Sequence, residues 1–268
     1  MTDERPAPKG VDVRTPNVAR MYDYYLGGKD NFAADRDAAK EVLAGAPEVR
    51  LGARQNRAFL RRAVRFLAGE AGIRQFIDIG TGLPTQGNTH EVAQQATPDA
   101  RVAYVDYDPV VLAYSRALLS KDAQTTTIQA DMRHPDEILN NPELRRLIDL
   151  DRPVAVLLLL MLHFVTDEED PVGIVAQLRE AMAPGSYIAI SHANAERRGG
   201  AVTHAASVYD RATSSLKLRT REEILRLLDG FELVEPGLVF LTEWRPDESD
   251  PVEARPGWGA LAAVGRKP

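Results

Sequence analysis

"FIDIGTGLPT", Phe76 to Thr85, is the stretch on which the fold turns. Phe76 to Ile79 read as a strand that carries one acid, Asp78, and runs directly into Gly80-Thr81-Gly82. Glycines at the C-terminal end of a strand let a ligand approach the backbone closely, at the place where open α/β sheets bind their ligands. The flanking sequence supplies the rest of such a sheet. "RQFIDIG", "ARVAYVD", "TTTIQAD", "RPVAVLLLLML" and "SYIAISH" are short runs rich in β-branched and apolar residues. Helical stretches separate them: "NTHEVAQQA", "DPVVLAYSRALLSK", residues 136–150 and "DPVGIVAQLREAMAPG". Strands alternating with helices imply βαβ units and a parallel sheet covered on both faces, and the wholly apolar Val154 to Leu160 suits a central strand.

Outside this core the grammar changes. Residues 1–15 read as a polar, flexible arm, and residues 16–70 as a helical cap of three helices. "NVARMYDYYL" carries its apolar stripe at Val18, Met21, Tyr22, Tyr25 and Leu26 and stops at Gly27-Gly28. "FAADRDAAKEVL" makes a second helix, and "EVRLGARQNRAFLRRAVRFLA" after Pro47 a long basic third. Its run "RAFLRRAVR" reads as a solvated helix face rather than a nucleic-acid groove. Residues 71–268 form the α/β domain, with an insertion at about 193–220. "TREEILRLLDG" is a capped helix, with Thr220 and Glu223 fitting a capping box. "FELVEPGLVF" and "GALAAVGRK" read as two last strands, open to antiparallel pairing.

Composition bounds the chemistry. The 268 residues contain no cysteine, which excludes disulfides, thiolate zinc and cysteine nucleophiles. A formal net charge of −6 argues against a general nucleic-acid surface. "MTDERPAPKGVDVRTP" lacks the apolar core of a signal peptide, and Val154 to Leu162 is too short to span a bilayer, so a cytoplasmic protein is expected.

The second chemical element lies 24 residues past Gly82, where "VAYVDYDP" ends a strand in Asp106. That is close to the ~20-residue spacing at which an acid grips ribose hydroxyls. Asp131, ending "TIQADMR", is a third carboxylate on the same edge, and the three suit a nucleoside with hydroxyls and an exocyclic amine. A dinucleotide fingerprint asks for a third glycine where this chain has Thr85, and Pro84 interrupts the run into the helix. That helix is expected to begin only at Asn88 or Thr89, so pyrophosphate cradling is poorly supported. Asp78 disfavours a polyphosphate and suits the ammonium of an amino acid. The balance favours S-adenosylmethionine over NAD. The plain alternative is that Asp106 caps the helix that follows.

These residues resemble the class I Rossmann-like methyltransferases, which have an acidic-x-Gly-x-Gly motif after strand one, an acid after strand two and an Asp-containing turn after strand three. More narrowly, "RMYDYYLGGKDNFAADR", "RQFIDIGTGLPT", "YVDYDPVVL", "LHFVTDEEDP" and "PGSYIAISH" look like the actinobacterial S-adenosylmethionine-dependent methyltransferase family of undefined substrate. The resemblance runs from about Val13 to the end. It implies an α/β fold with a seven-stranded, mostly parallel sheet, S-adenosylmethionine as cofactor with S-adenosylhomocysteine as product, and a cytoplasmic setting. It names no acceptor; a small molecule is expected. The implied cofactor site comprises Asp78, Gly80, Thr81, Gly82, Asp106, Tyr107, Asp131 and Met132. In this superfamily an N-terminal helical segment often closes over the methionine end, and Tyr22, Tyr25, Gly28, Lys29 and Asn31 suit that lid, with Lys29 as a carboxylate partner. A packing helix and a simple turn would explain the same residues.

His163, after the central strand, and His192, ending the fifth, are candidates for a catalytic base, although either can be satisfied structurally. His90 reads as structural. The histidines share no spacing that makes a metal site. Two rival functions stay open at this point: an NAD(P)-dependent oxidoreductase on a related fold, and a non-catalytic S-adenosylmethionine-binding regulator.

Overall fold

The computed structural model describes residues 11–84, 87–119, 122–196, 207–248, 250 and 259–268. Most of the N-terminal arm, Thr85 and the middle of the 193–220 insertion lie outside them. Five parallel strands form in the predicted order: β1 (Gln75–Ile79), β2 (Arg101–Asp106), β3 (Thr125–Gln129), β4 (Ala155–Leu159) and β5 (Tyr187–His192). β8 (Leu261–Arg266) pairs antiparallel with β5. The predicted strand "FELVEPGLVF" is broken into β6 (Glu232–Leu233) and β7 (Val239–Phe240), both antiparallel to β8. Pro236 supplies no N–H to the ladder, and Gly237 turns back on Val234 O at 2.9 Å, so one edge strand becomes two short ones. Among the described residues the sheet therefore counts eight strands, in the order β3-β2-β1-β4-β5-β8-β6, with β7 also on β8.

Alternation along the strands divides the core. Ile77, Ile79, Val105, Val156 and Leu158 face one layer, made of α6 (Pro135–Leu139), α7 (Pro142–Leu147), α8 (Pro171–Ala181) and α9 (Arg221–Arg226). Phe76, Tyr104, Ala155 and Leu157 face the other, made of α4 (Thr89–Ala96), the C-terminal half of α3 (Val49–Arg65) and the fully buried Trp244. The predicted helix over 136–150 divides at Pro142, where Asn141 caps α7 through the N–H groups of Glu143 and Leu144.

α1 (Val18–Leu26) and α2 (Ala33–Gly45) form the cap with the first half of α3. Val49 and Ala53 of α3 belong to the cap cluster, whereas Phe59, Leu60 and Val64 of the same helix belong to the sheet. One rigid helix thus ties cap to sheet. Inside the cap, buried Asp35 pairs with Arg20 at 2.9 Å and accepts the Asn17 and Phe32 N–H groups, which joins the starts of α1 and α2. The Arg57–Arg65 run is not simply solvated: Arg62 is buried and donates to the carbonyls of Trp244 and Leu241 and to Asp250.

The Gly27–Asn31 turn wraps a carboxylate. The N–H groups of Gly27 and Gly28 donate back to Tyr24 O and Asp23 O, closing α1. The Asp23 side chain, 3 % exposed, accepts from Asp30 N at 3.0 Å and Asn31 Nδ2 at 2.8 Å. A Cβ at Gly28 would run into that carboxylate. Gly28→Ala should therefore cost about 1–3 kcal/mol of stability through overpacking, while Lys29→Ala at the exposed next position should stay within about 0.5 kcal/mol. Urea melts of the two variants check this, and equal melts would show that the turn is not built around Asp23.

Candidate active site

The C-terminal ends of β1, β2 and β4 open into a cavity roofed by α1 and walled on one side by α3. The loop after β1 sets its floor. Gly80 N–H donates to Val105 O at 2.7 Å and Gly82 N–H to Asp106 Oδ2 at 3.0 Å, so the glycine turn is bonded to the end of β2. Gly80 and Gly82 have φ of +71° and +65°, which side-chain-bearing residues adopt at a cost. A Cβ at Gly80 would strike Met161, while one at Gly82 would meet nothing within 4 Å and would project into open space.

Asp106 lines the cavity, 6 % exposed, with its other oxygen accepting Asp108 N–H at 2.9 Å. Capping of α5 (Pro109–Leu119) falls to Asp108 instead, whose Oδ1 accepts Val110 N–H at 2.7 Å. Burial pushes the Asp106 carboxyl up to about 6. Asp78 is likewise raised by burial, against the pull of the Thr89 hydroxyl at 2.6 Å and the charge of Arg57. Helix α4 begins at Thr89 as expected, and its N-terminus is already occupied: Glu91 accepts the N–H groups of Gly87 and Asn88 at 2.7 and 3.0 Å. A pyrophosphate would meet an acid there.

The predicted site residues separate into three groups. Asp78, Gly80, Thr81, Gly82, Asp106, Tyr107, Tyr22, Tyr25 and His163 line the main cavity. Asp131 and Met132 line an adjoining cleft that shares Gly80, Asp106, Tyr107, Met161 and Phe164 with it. Burial works against ionisation of Asp131, but Arg133, bonded to both its oxygens, carries its pKa below the usual value. Gly28, Lys29 and Asn31 are not brought to the cavity: Lys29 is exposed, and Asn31 is spent on Asp23 and Gly28 O.

The two histidines part company. His163 is 2 % exposed on the cavity wall, and burial, with His192 and Arg219 nearby, holds it well below the usual imidazole range. It is neutral at pH 7. His192 does not reach the cavity: Nδ1 donates to Ala193 O at 2.8 Å and Nε2 accepts from Arg219 at 3.0 Å, and burial brings it down to about 4. Both ring nitrogens serve the fold. His90 is bonded to Tyr104 OH through its backbone N–H and Nδ1 at 2.8 and 2.6 Å, a structural role as expected.

Sequence reading missed several lining residues. Asn56 and Arg57 of α3, Leu160 and Met161 after β4, Phe164, and Tyr209 from the far side of the insertion all face the cavity. Asn56 and Arg57 stand in "RQNRAF", a run of four polar residues in which nothing local marks these two as facing a cavity. Tyr209 carried none, because nothing local ties it to α1. Arg219 was missed as well: buried, it donates to Leu162 O, Val165 O and Asp167 at 2.8 Å each, holding the segment that carries His163. Among the described residues no group of three His, Asp or Glu side chains can hold a metal, and no helix is long and apolar enough to cross a membrane.

Residues 4–268 match the family model for S-adenosyl methyltransferases. A crystal structure of a protein from Thermobifida fusca YX is 48% identical, with a TM-score of 0.91 over 97% of this chain and 98% of that one. A DUF574 family protein from Streptomyces avermitilis MA-4680 is 44% identical, also at 0.91, over 96% and 99% of the two chains. Human N-acetylserotonin methyltransferase, solved with S-adenosylmethionine, shares the fold at 16% identity and a TM-score of 0.52, over 94% of this chain and 63% of that one. No curated protein matches.

The raised Asp106 pKa has a testable sign. The folded protein keeps this proton to about pH 6, whereas an ordinary carboxylate loses it near 3.8. Its contribution to stability is therefore fully present below about pH 3.8 and lost as pH rises through about 6. Asp106→Ala should gain on the wild-type protein across that window by up to roughly 3 kcal/mol. Urea unfolding of both, without ligand, at several pH values checks this; a pH-independent difference would remove the claim.

Proposed function

The chain belongs to the S-adenosyl methyltransferase family, and from that membership we propose how its cavity is divided between cofactor and acceptor. It is an S-adenosylmethionine-dependent methyltransferase of unidentified acceptor; the oxidoreductase and regulator readings are not favoured. The observation that carries the division is the left-handed Gly80–Gly82 turn bonded to the buried carboxylate of Asp106. Open space over Gly82 lets a ligand lie on the backbone, and a buried carboxyl that retains its proton to about pH 6 gains from hydroxyl donors. Asp106 would hold the ribose, with Thr81 and Tyr107 beside it. Asp131 and Met132 would border the adenine in the adjoining cleft. Asp78 and Arg57 both line the cavity, and the charge of Arg57 acts on the Asp78 carboxyl, so an acid and a cation are present for the ammonium and carboxylate of the methionine end. Arg57 thus takes the role expected of Lys29.

When bound, S-adenosylmethionine supplies a methyl group on a sulfonium, an electrophile that needs an aligned nucleophile more than it needs activation. The protein's share is positioning and exclusion of water. α1 is the roof: Tyr22 OH donates to Ala53 O at 3.0 Å, and Tyr25 OH meets Tyr209 OH at 3.2 Å. Residues 16–70 act on this reading as the cap of the 71–268 domain. His163, neutral and at the wall, is the group placed to take a proton from an acceptor that must lose one. The bounded cavity and the net charge of −6 support a small-molecule acceptor, in the cytoplasm, over nucleic acid.

Calorimetry with S-adenosylhomocysteine tests the assignment. Asp106→Ala and Arg57→Ala should each weaken binding by about 1–3 kcal/mol, the loss of charge-assisted hydrogen bonds, while Lys29→Ala should bind like wild type. Gly82→Val should abolish binding and keep its circular dichroism. NAD binding tighter than S-adenosylhomocysteine, or wild-type affinity in Asp106→Ala, would overturn the reading. His163→Gln should retain S-adenosylhomocysteine affinity, and its turnover with an acceptor hydroxyl should fall by about 10²–10⁴.

A further inference from the structure

Resting on that cofactor placement, we infer that the methyl acceptor is an uncharged, flat aromatic hydroxyl compound seated against Tyr25, Phe164 and Tyr209. Once the Gly80–Asp106 end is assigned, the remaining wall is aromatic and aliphatic. Tyr25 and Tyr209 are buried, 1 % and 6 % exposed. The Phe164 ring lies 5.6 Å from that of Tyr209 and 4.2 Å from His163, and Val49 and Ala53 line the side given by α3.

The polar atoms of this half are engaged with one another. Tyr22 OH donates to Ala53 O and accepts from Asn56 Nδ2 at 3.1 Å, and Asn56 Oδ1 accepts the Ser191 hydroxyl at 2.6 Å. Tyr25 and Tyr209 bond each other. What faces inward is therefore ring faces, methyl groups and the His163 imidazole. Among the described lining residues the ionised groups, Arg57, Asp78 and Asp106, all stand at the cofactor end. An ionised acceptor would lose its hydration without a partner, and a cation would in addition meet the positive sulfonium. A flat aromatic ring loses little hydration and gains offset and edge-to-face contacts with three rings.

The hydroxyl completes the chemistry without net change of charge. Its oxygen lone pair forms the new C–O bond as the C–S bond breaks with its electron pair passing to sulfur. The O–H proton goes to the neutral His163 imidazole. One cation, the sulfonium, is consumed and one, the imidazolium, is formed.

The test uses the full chain saturated with S-adenosylhomocysteine, titrated at pH 7.5 with 2-naphthol, 2-naphthoate and 2-naphthylmethylammonium. The naphthol should bind at least tenfold more tightly than either charged isostere. Tyr209→Leu and Tyr209→Ala should each weaken it at least fivefold while S-adenosylhomocysteine affinity moves less than twofold, which also reports that both variants are folded. With S-adenosylmethionine, a panel of uncharged bicyclic phenols should yield methyl ethers, and matched aryl carboxylates and arylalkylamines none. A charged isostere that binds as well, naphthol binding unmoved by both variants, or a panel without a single ether overturns the inference. A protein that binds naphthol but not S-adenosylhomocysteine overturns the cofactor placement instead.

Discussion

The hydrogen bonds that carry β1 past its last residue into β2 are the constraint on which the rest of this molecule depends. Gly80 N–H reaches Val105 O and Gly82 N–H reaches the Asp106 side chain, so turn, carboxylate and the start of α5 form one bonded unit through Asp108. Two positive-φ residues in three make that path possible, and it is a path that only glycine follows without strain. The result is an acid held nearly out of water at the one edge where five parallel strands all end.

A second pinned segment faces it. After β4, Leu160 sits at φ +54°, a left-handed conformation that costs a leucine roughly 1–2 kcal/mol. Its N–H is taken by the carbonyl and hydroxyl of Ser191, at 3.0 and 2.9 Å, and the carbonyls just beyond are taken by Arg219. Strain maintained by surrounding bonds at a cavity wall is characteristic of a functional segment. It also brings His163 to the cavity while His192, one strand over, is consumed in holding Arg219. α3 then joins the two walls to the roof, since its first half packs in the cap and its second on the sheet.

Much of this was legible in the chain. The succession of strands and helices along the chain, the glycine turn, the late start of α4 and the positions of Asp78 and Asp106 follow from local periodicity and from residues adjacent in sequence. The misreadings share a cause. Lys29 and Asn31 look like ligand groups because the turn is polar, but Asn31 and the Asp30 N–H are spent inward, on Asp23, and Lys29 is exposed. "RAFLRR" looks solvated because charge alternates with apolar residues, yet Arg57 turns to the cavity and Arg62 is buried against carbonyls about 180 residues away. The predicted strand "FELVEPGLVF" splits at a proline whose missing N–H matters only once β8 lies beside it.

The sequence by itself determined the βαβ framework and the edge that carries the candidate site, because a period-two strand, a glycine turn and an acid at its end are local signals that short-range sterics and hydrogen bonding enforce. Only the tertiary structure decided which cation stands beside Asp78, which histidine reaches the cavity, and that Tyr25, Phe164 and Tyr209 share one wall. Those residues come from segments up to 184 positions apart, as for Tyr25 and Tyr209. Nothing in local sequence encodes their meeting; it follows from the folding of cap and sheet onto a single helix.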